Sequence, residues 1–261
     1  MEALHFDYQM EIDYSVPVHN CHFTIKCIPK DDARQRLLKM NISMTPETAY
    51  SFGEDSYHNR QIYGHMTRTH DRFVFHICGE VEILQSDYEE EAVQGRIGMY
   101  KFPSGRCVPG EELLAYFYSL DSGSALNTFE KCEYFMHRLH QDFAYEPCTT
   151  QVYTDAETAW RLRKGVCQDY AHIYIVLLRL AGIPARYVCG LIKGEGASHA
   201  WVEALCEGRW VGYDPTNDCR IGNGYIKLGD GRDASGCAIN RGIMLGGGTQ
   251  TQRINARVEE R

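Results

Sequence analysis

Apolar and polar side chains alternate from the start of the chain. Leu4, Phe6, Tyr8, Met10 and Ile12 are interleaved with His5, Asp7, Gln9 and Glu11. A period of two predicts a strand with one buried face. The rhythm returns at Phe23, Ile25 and Cys27 after a break over 17–20, at Leu38, Met40 and Ile42, and over 61–66. Its longest run goes from Phe73 to Ile83, with Gly79 at a possible bulge. Turn-rich pieces such as residues 51–56 separate the runs. Strand after strand without a helical period predicts an antiparallel β-sandwich of about 90 to 105 residues.

The period changes near residues 100–110, where Pro103, Gly105, Pro109 and Gly110 cluster. A domain boundary is expected there, with an N-terminal sandwich over 1–105 and a second domain over 106–261. A short helix is predicted over 111–120. Another follows along Leu126, Phe129, Cys132, Met136, Leu139 and Phe143, whose steps of three and four mark a core-facing stripe on which Cys132 reads as packing. Thr154, Asp155, Ala156 and Glu157 read as a capping box opening a third helix that stops at Gly165. From Tyr170 to Ala181 every helical face is apolar, which places this helix inside the domain, and Gly182 and Pro184 end it. Strands are predicted over 185–191, 199–205, 209–213 and 224–228, then a turn at 229–233. Segments 242–245 and 251–258, around a glycine run, read as a closing hairpin. The fold class expected is α+β, the sandwich followed by a helix buried against an antiparallel sheet.

That helix opens on a nucleophile. Gly165 makes the entry turn and Cys167 falls in the first helical turn. Backbone N–H groups lack intrahelical acceptors there, and the positive end of the dipole favours a thiolate. A free cysteine is ordinarily an inert small hydrophobe, but two later segments change that reading. His199 begins a short alternating strand, and Asp214 ends the next one, 214 − 199 = 15 residues on. This spacing suits a hairpin that brings the two onto neighbouring strands. Together the three form a nucleophile, base and orienter.

At these residues the chain resembles the transglutaminase-like superfamily of bacterial cysteine enzymes. The similar motifs are GVCQDYAH (165–172), LRLAGIPARYV (178–188), SHAWVE (198–203) and WVGYDPTN (210–217). Residues 143–145 and 154–156 resemble the segment that precedes the family's nucleophile. The resemblance implies a papain-like catalytic core with Cys167 as nucleophile, His199 as base and Asp214 as orienter. It also implies an N-terminal β-sandwich domain that shapes access to the cleft. Residues 54–59 (EDSYHN) resemble the family's recurrent turn, except that His58 stands where glycine is expected.

The chemistry expected is acyl transfer through a thioester, with the Cys167 N–H as one oxyanion donor. Tyr145 reads either as the second donor or as a core-edge aromatic, and Trp201 either as a cleft wall or as packing. Water as acceptor makes a cysteine protease or amidase; a lysine amine makes a transglutaminase. The small two-domain build and the absence of EF-hand spacing favour the thiol hydrolase. A third possibility is a non-catalytic binding scaffold on the same fold.

Charge and cysteine count narrow the partners. A net charge of −8 argues against nucleic acid. No apolar run reaches membrane-spanning length, and the N-terminus alternates unlike a signal peptide. The 11 cysteines are scattered and odd in number, which points to free thiols in a reducing cytoplasm. Cys21, His22 and Cys27 come nearest to a metal-binding spacing, but alternation assigns them to one strand. The partner expected is a peptide or protein substrate, with no metal, cofactor, nucleic acid or membrane.

Overall fold

A computed structural model describes residues 2–84, 89–92, 94–120 and 126–261. The N-terminal alternation forms strands, but β1 (Glu2–Ile25) runs through the expected break in one piece. Leu4, Phe6, Tyr8, Met10, Ile12, Tyr14 and Val18 are buried, and then the phase shifts to Cys21, Phe23 and Ile25. The shift falls at an irregularity where Asn20 has φ +48°. One strand thereby serves two sheet segments: its first half pairs with β5 (His70–Ile83) and its second with β4 (Arg60–Met66). β2 (Gln35–Thr45) pairs with β5, and β3 (Tyr50–Glu54) with β4. Residues 51–54, expected in a turn, are therefore strand. Gly79 is not a bulge. It lies in unbroken register, where a Cβ would meet the Lys39 carbonyl oxygen at 2.2 Å and the Phe6 ring at 2.9 Å. The bulge sits opposite, between Leu37 and Lys39, and leaves Leu38 exposed.

Among the described residues a 3-10 helix (Gln94–Tyr100) and four α-helices follow: α1 (Glu111–Ser119), α2 (Thr128–Asp142), α3 (Ala156–Leu162) and α4 (Cys167–Leu180). Cys132 packs in the core beneath α2, as its stripe predicts. Asp155, not Thr154, caps α3, accepting the Thr158 N–H at 2.7 Å. Glu157 reaches instead to the start of α1, where it accepts the N–H groups of Gly110, Glu112 and Leu113. Gly182 adopts φ +78° after α4. The second sheet is antiparallel, in the order Cys219–Arg220, β8 (Arg209–Asp214), β7 (His199–Cys206), β6 (Ala185–Ile192) and β9 (Tyr225–Gly231). The turn expected at 229–233 begins later, because β9 continues to Gly231. The closing hairpin is also absent. β10 (Asn240–Glu260) is a single 21-residue strand lying antiparallel along β1, with Gly246, Gly247 and Gly248 at φ +93°, +101° and +58° absorbed as irregularities beside Val16 and Val18. The end of the chain thus completes the first sheet.

The two sheets meet along β9. Leu191, Ile226 and Leu228 of the second sheet are buried in the core of the first. As an edge strand β9 has unpaired backbone groups, and side-chain amides from the first region fill them. Gln35 bonds both the N–H (2.8 Å) and the carbonyl (2.9 Å) of Lys227. Asn59 does the same for Asp230, at 2.8 Å each way. The turn carrying Asn59 is held by Asp55, which accepts the Tyr57 and Asn59 N–H groups. His58 adopts φ +60° in it, the left-handed conformation for which glycine is the natural residue. The atypical histidine therefore keeps the turn geometry.

Candidate functional site

Cys167 is the first residue of α4 and is half-buried. The local fold that presents it rests on Asp169, whose carboxylate accepts the Val166 N–H (2.8 Å) and the Thr150 hydroxyl (2.6 Å). Burial pushes the Asp169 carboxyl up from its ordinary range, against these two hydrogen bonds. The carboxylate lies against Gly165, where a Cβ would come within 2.4 Å of it, so a side chain at 165 would displace the cap. With Val166 satisfied, the Cys167 N–H remains in the first turn at the positive end of the helix.

His199 is the first residue of β7, and Asp214 the last of β8. Val202 pairs with Tyr213, so Asp214 sits two positions from His199 on the neighbouring strand. His199 Nε2 lies 2.7 Å from Asp214 Oδ2. The imidazole is also hydrogen-bonded to Cys167, leaving Nδ1 as the nitrogen that serves the thiol. The structure thus brings together all three residues read from the sequence. Asp214 is fully buried and densely bonded: it accepts the Thr216 N–H (2.9 Å), the Asn217 N–H (3.2 Å), the Asn217 amide (2.7 Å) and the Tyr225 hydroxyl (2.9 Å).

Electrostatics follow from this geometry. Burial alone would lower the His199 pKa; hydrogen bonds to Asp214 and Cys167, and their charges, overcome it and raise the value to about 10. Burial would raise the Asp214 carboxyl; His199, Asn217 and Tyr225 hold it below the ordinary carboxylate range. Burial and Asp214 keep the Tyr225 phenol protonated, hence a donor. The arrangement stabilises an imidazolium beside a thiol and can move a proton at Nδ1.

Tyr225 was not legible in the sequence: it follows the 210–217 motif by only eight residues, but its strand β9 lies three places from β8 in the sheet. Asn217 carried a signal, standing three residues after Asp214 where an acceptor–backbone turn forms. Trp201 is fully buried, 6.4 Å from the His199 ring with an interplanar angle of 28° and 5.4 Å from the Tyr225 ring, so it backs the imidazole. Gly190 leaves room for it: a Cβ there would fall 2.3 Å from the indole. Tyr145 is exposed rather than packed in the core, and its backbone pairs with Gly165, two residues before Cys167; its hydroxyl is raised first by burial and then by the Cys167 charge. His172 is fully buried, and its pKa is lowered to about 4 by burial. Its Nε2 accepts the Ala234 N–H at 3.1 Å, so it holds the following loop.

A cleft of about 440 Å³ opens beside these residues. Gln168, Cys189 and Ser198 line one side, and residues of the 234–241 segment with Gln252 and Ile254 of β10 line the other. Both sheets contribute to it. Cys21 faces the first core while His22 stacks on His65 at 4.0 Å, and Cys27, expected on the same strand, lies beyond the end of β1 at Ile25. A trio with ligand atoms close enough for a metal, Asp7, His76 and Cys78, lies on the outer face of β1 and β5 and comes from two strands.

Comparison with known proteins bears on the family and the fold. Residues 119–215 match the family described as the transglutaminase-like superfamily, and residues 4–82 match the bacterial transglutaminase-like N-terminal region. An uncharacterized protein of Mycobacterium leprae is 43% identical over 114 residues, which is 40% of this chain and 40% of that protein's length. An uncharacterized protein of Mycobacterium tuberculosis is 27% identical over 250 residues, covering 83% of this chain and 79% of that one. A crystal structure of a candidate cysteine protease from Cytophaga hutchinsonii shares the fold, with a TM-score of 0.82 at 22% identity, over 99% of this chain and 90% of that one.

Proposed function

Since this chain belongs to the transglutaminase-like superfamily, we propose that it is a cysteine peptidase or amidase, hydrolysing a peptide or amide bond through a thioester. The observation that carries the reading is the imidazole of His199, bonded to buried Asp214 on one side and to Cys167 on the other. The Cys167 thiolate attacks the carbonyl carbon, and the oxyanion meets the Cys167 N–H. The C–N bond breaks as Nδ1 of the His199 imidazolium delivers its proton to the leaving amine. Water then gives a proton to Nδ1 and attacks the thioester, releasing the acid and regenerating the thiolate. Asp214 fixes the ring and stabilises the imidazolium throughout. Tyr145, whose backbone pairs with Gly165 two residues before Cys167, is proposed as the second oxyanion donor. The N-terminal region, treated as a domain over 1–105, shapes the cleft together with β10.

The substrate proposed is a peptide or protein, and the compartment a reducing one in which all 11 cysteines stay free. Among the described residues no helix is long and apolar enough to cross a membrane. The test is to incubate the protein with a peptide panel with and without a labelled primary amine. Cleavage independent of the amine supports hydrolysis. Stable incorporation of the amine at glutamine replaces hydrolysis with transglutaminase activity, and neither outcome over a broad panel moves the weight to a binding scaffold.

A further inference from the structure

Building on the reading of Cys167 as an acyl-transfer nucleophile, we propose that the cleft beside it is a carboxylate-binding subsite, and that its acyl donors are acidic peptides or amides. The chain carries a net charge of −8. Yet the cleft is lined by two guanidinium groups, Arg106 and Arg241, and by no aspartate or glutamate among the described residues. The sign of the local charge is reversed where the substrate must lie.

Both cations are anchored without being neutralised. Arg106 donates from Nη1 to the Val152 carbonyl, and Arg241 from Nη2 to the Ser235 carbonyl. Neutral acceptors fix the planes of the guanidiniums while leaving the charge and the remaining N–H donors for a ligand. Among the described residues neither arginine forms an ion pair. The nearby acid, Asp233, is occupied. Its carboxylate accepts the Arg106 backbone N–H (2.9 Å) and, from Ser235, the N–H (2.8 Å) and the hydroxyl (2.5 Å), and it does not line the cleft. A planar fork of N–H donors matches a carboxylate.

The subsite is placed to act on the reaction. Gln168 and Ser198, which also line the cleft, are the chain neighbours of Cys167 and His199. Arg241 stands on β10, paired to Thr24 of the first sheet, whereas Arg106 lies before α1. The two come together because the sheets dock, which gives the N-terminal region a part in substrate choice.

Two measurements test this on the full chain. In the first, Cys167 is alkylated with anionic iodoacetate and with neutral iodoacetamide, and the exposed Cys148 is the internal reference. The iodoacetate-to-iodoacetamide rate ratio at Cys167 is expected to exceed that at Cys148 by about tenfold, to fall several-fold in Arg106→Gln and Arg241→Gln, and to recover in part with lysine at either position. A ratio indifferent to both arginines overturns the proposal. In the second, binding of N-acetyl-L-glutamate and N-acetyl-L-glutamine to the Cys167→Ala chain is followed by NMR, which reads the subsite without the nucleophile. Tighter binding of the glutamate, lost in Arg241→Gln, supports the proposal; equal binding of the two overturns it. Failure of the acyl-transfer reading itself appears separately, as a Cys167 that iodoacetamide labels no faster than Cys148.

Discussion

Two clusters of buried charge share the strands of the second sheet, and they behave differently. At the start of β7 stands His199, bonded to Asp214 and Cys167. Four residues further along the same strand stands Glu203, fully buried, against Arg186 at 2.5 Å and Lys227 at 2.9 Å. Lys227 also meets Asp230 at 3.2 Å, and Lys30 of the first region meets Asp230 at 2.7 Å. Burial would raise the Asp230 carboxyl, but Arg186, Lys227 and Lys30 hold it well below the usual range. Every charge in this second cluster faces an opposite charge, and all its members but Lys30 are buried. In the first, the carboxylate side is as well satisfied, but the cation faces a half-buried thiol whose chain neighbour Gln168 lines the cleft. The comparison teaches that burial and pairing do not by themselves make a site. What separates chemistry from architecture here is one partner that stays exchangeable and open to substrate.

The sharpest way to break the comparison is Cys167→Ala. Turnover of a cleaved peptide is expected to fall by about 10⁴-fold or more, while the denaturant midpoint barely moves. Unfolding of this variant would mean that Cys167 serves the architecture after all. The opposite behaviour is expected of Lys227→Met, which leaves Glu203 buried with one cation fewer. It should cost about 3–5 kcal/mol in urea unfolding, and Lys227→Met with Glu203→Leu should recover much of that. If the single variant is neutral, the buried cluster is not what joins the sheets.

Tyr225→Phe should sharpen the difference from the catalytic side. Loss of a hydrogen bond to a charged carboxylate is worth about 1.5–3 kcal/mol, or roughly 10- to 100-fold in kcat/KM. NMR titration of the imidazole tests the same network. The His199 pKa is raised from 6.5 to about 10, so its contribution to stability is fully present below about 6.5 and lost as pH rises through about 10. The Asp214 pKa is lowered, so its contribution is present above the ordinary aspartate value and lost as pH falls through the lowered one. An imidazole titrating near 6.5 would contradict the Asp214–His199–Cys167 arrangement. The smallest effect is expected for His58→Gly. Relief of the left-handed strain and the added freedom of the unfolded chain oppose each other, so stability should change by less than about 1 kcal/mol in thermal unfolding.

Local rules were enough where one segment carries its own signal. Alternation from Leu4 to Ile12 gave the first strand's buried face, and the all-round apolar run after Cys167 gave the buried helix. Three motifs in order were enough to nominate Cys167, His199 and Asp214. Tertiary structure decided what depends on distant chain. Whether Pro17 ends a strand or is tolerated was decided by β10, 21 residues that pair along β1 instead of folding on themselves. Strand order brings Tyr225 to Asp214, Glu157 caps a different helix, Gln35 and Asn59 complete the edge of β9, and Arg106 and Arg241 line one cleft. None of these pairings leaves a periodic or spacing signal. A hydrogen bond between remote residues depends on where two backbones dock, and docking is fixed by the summed burial of both surfaces rather than by the residues around either partner.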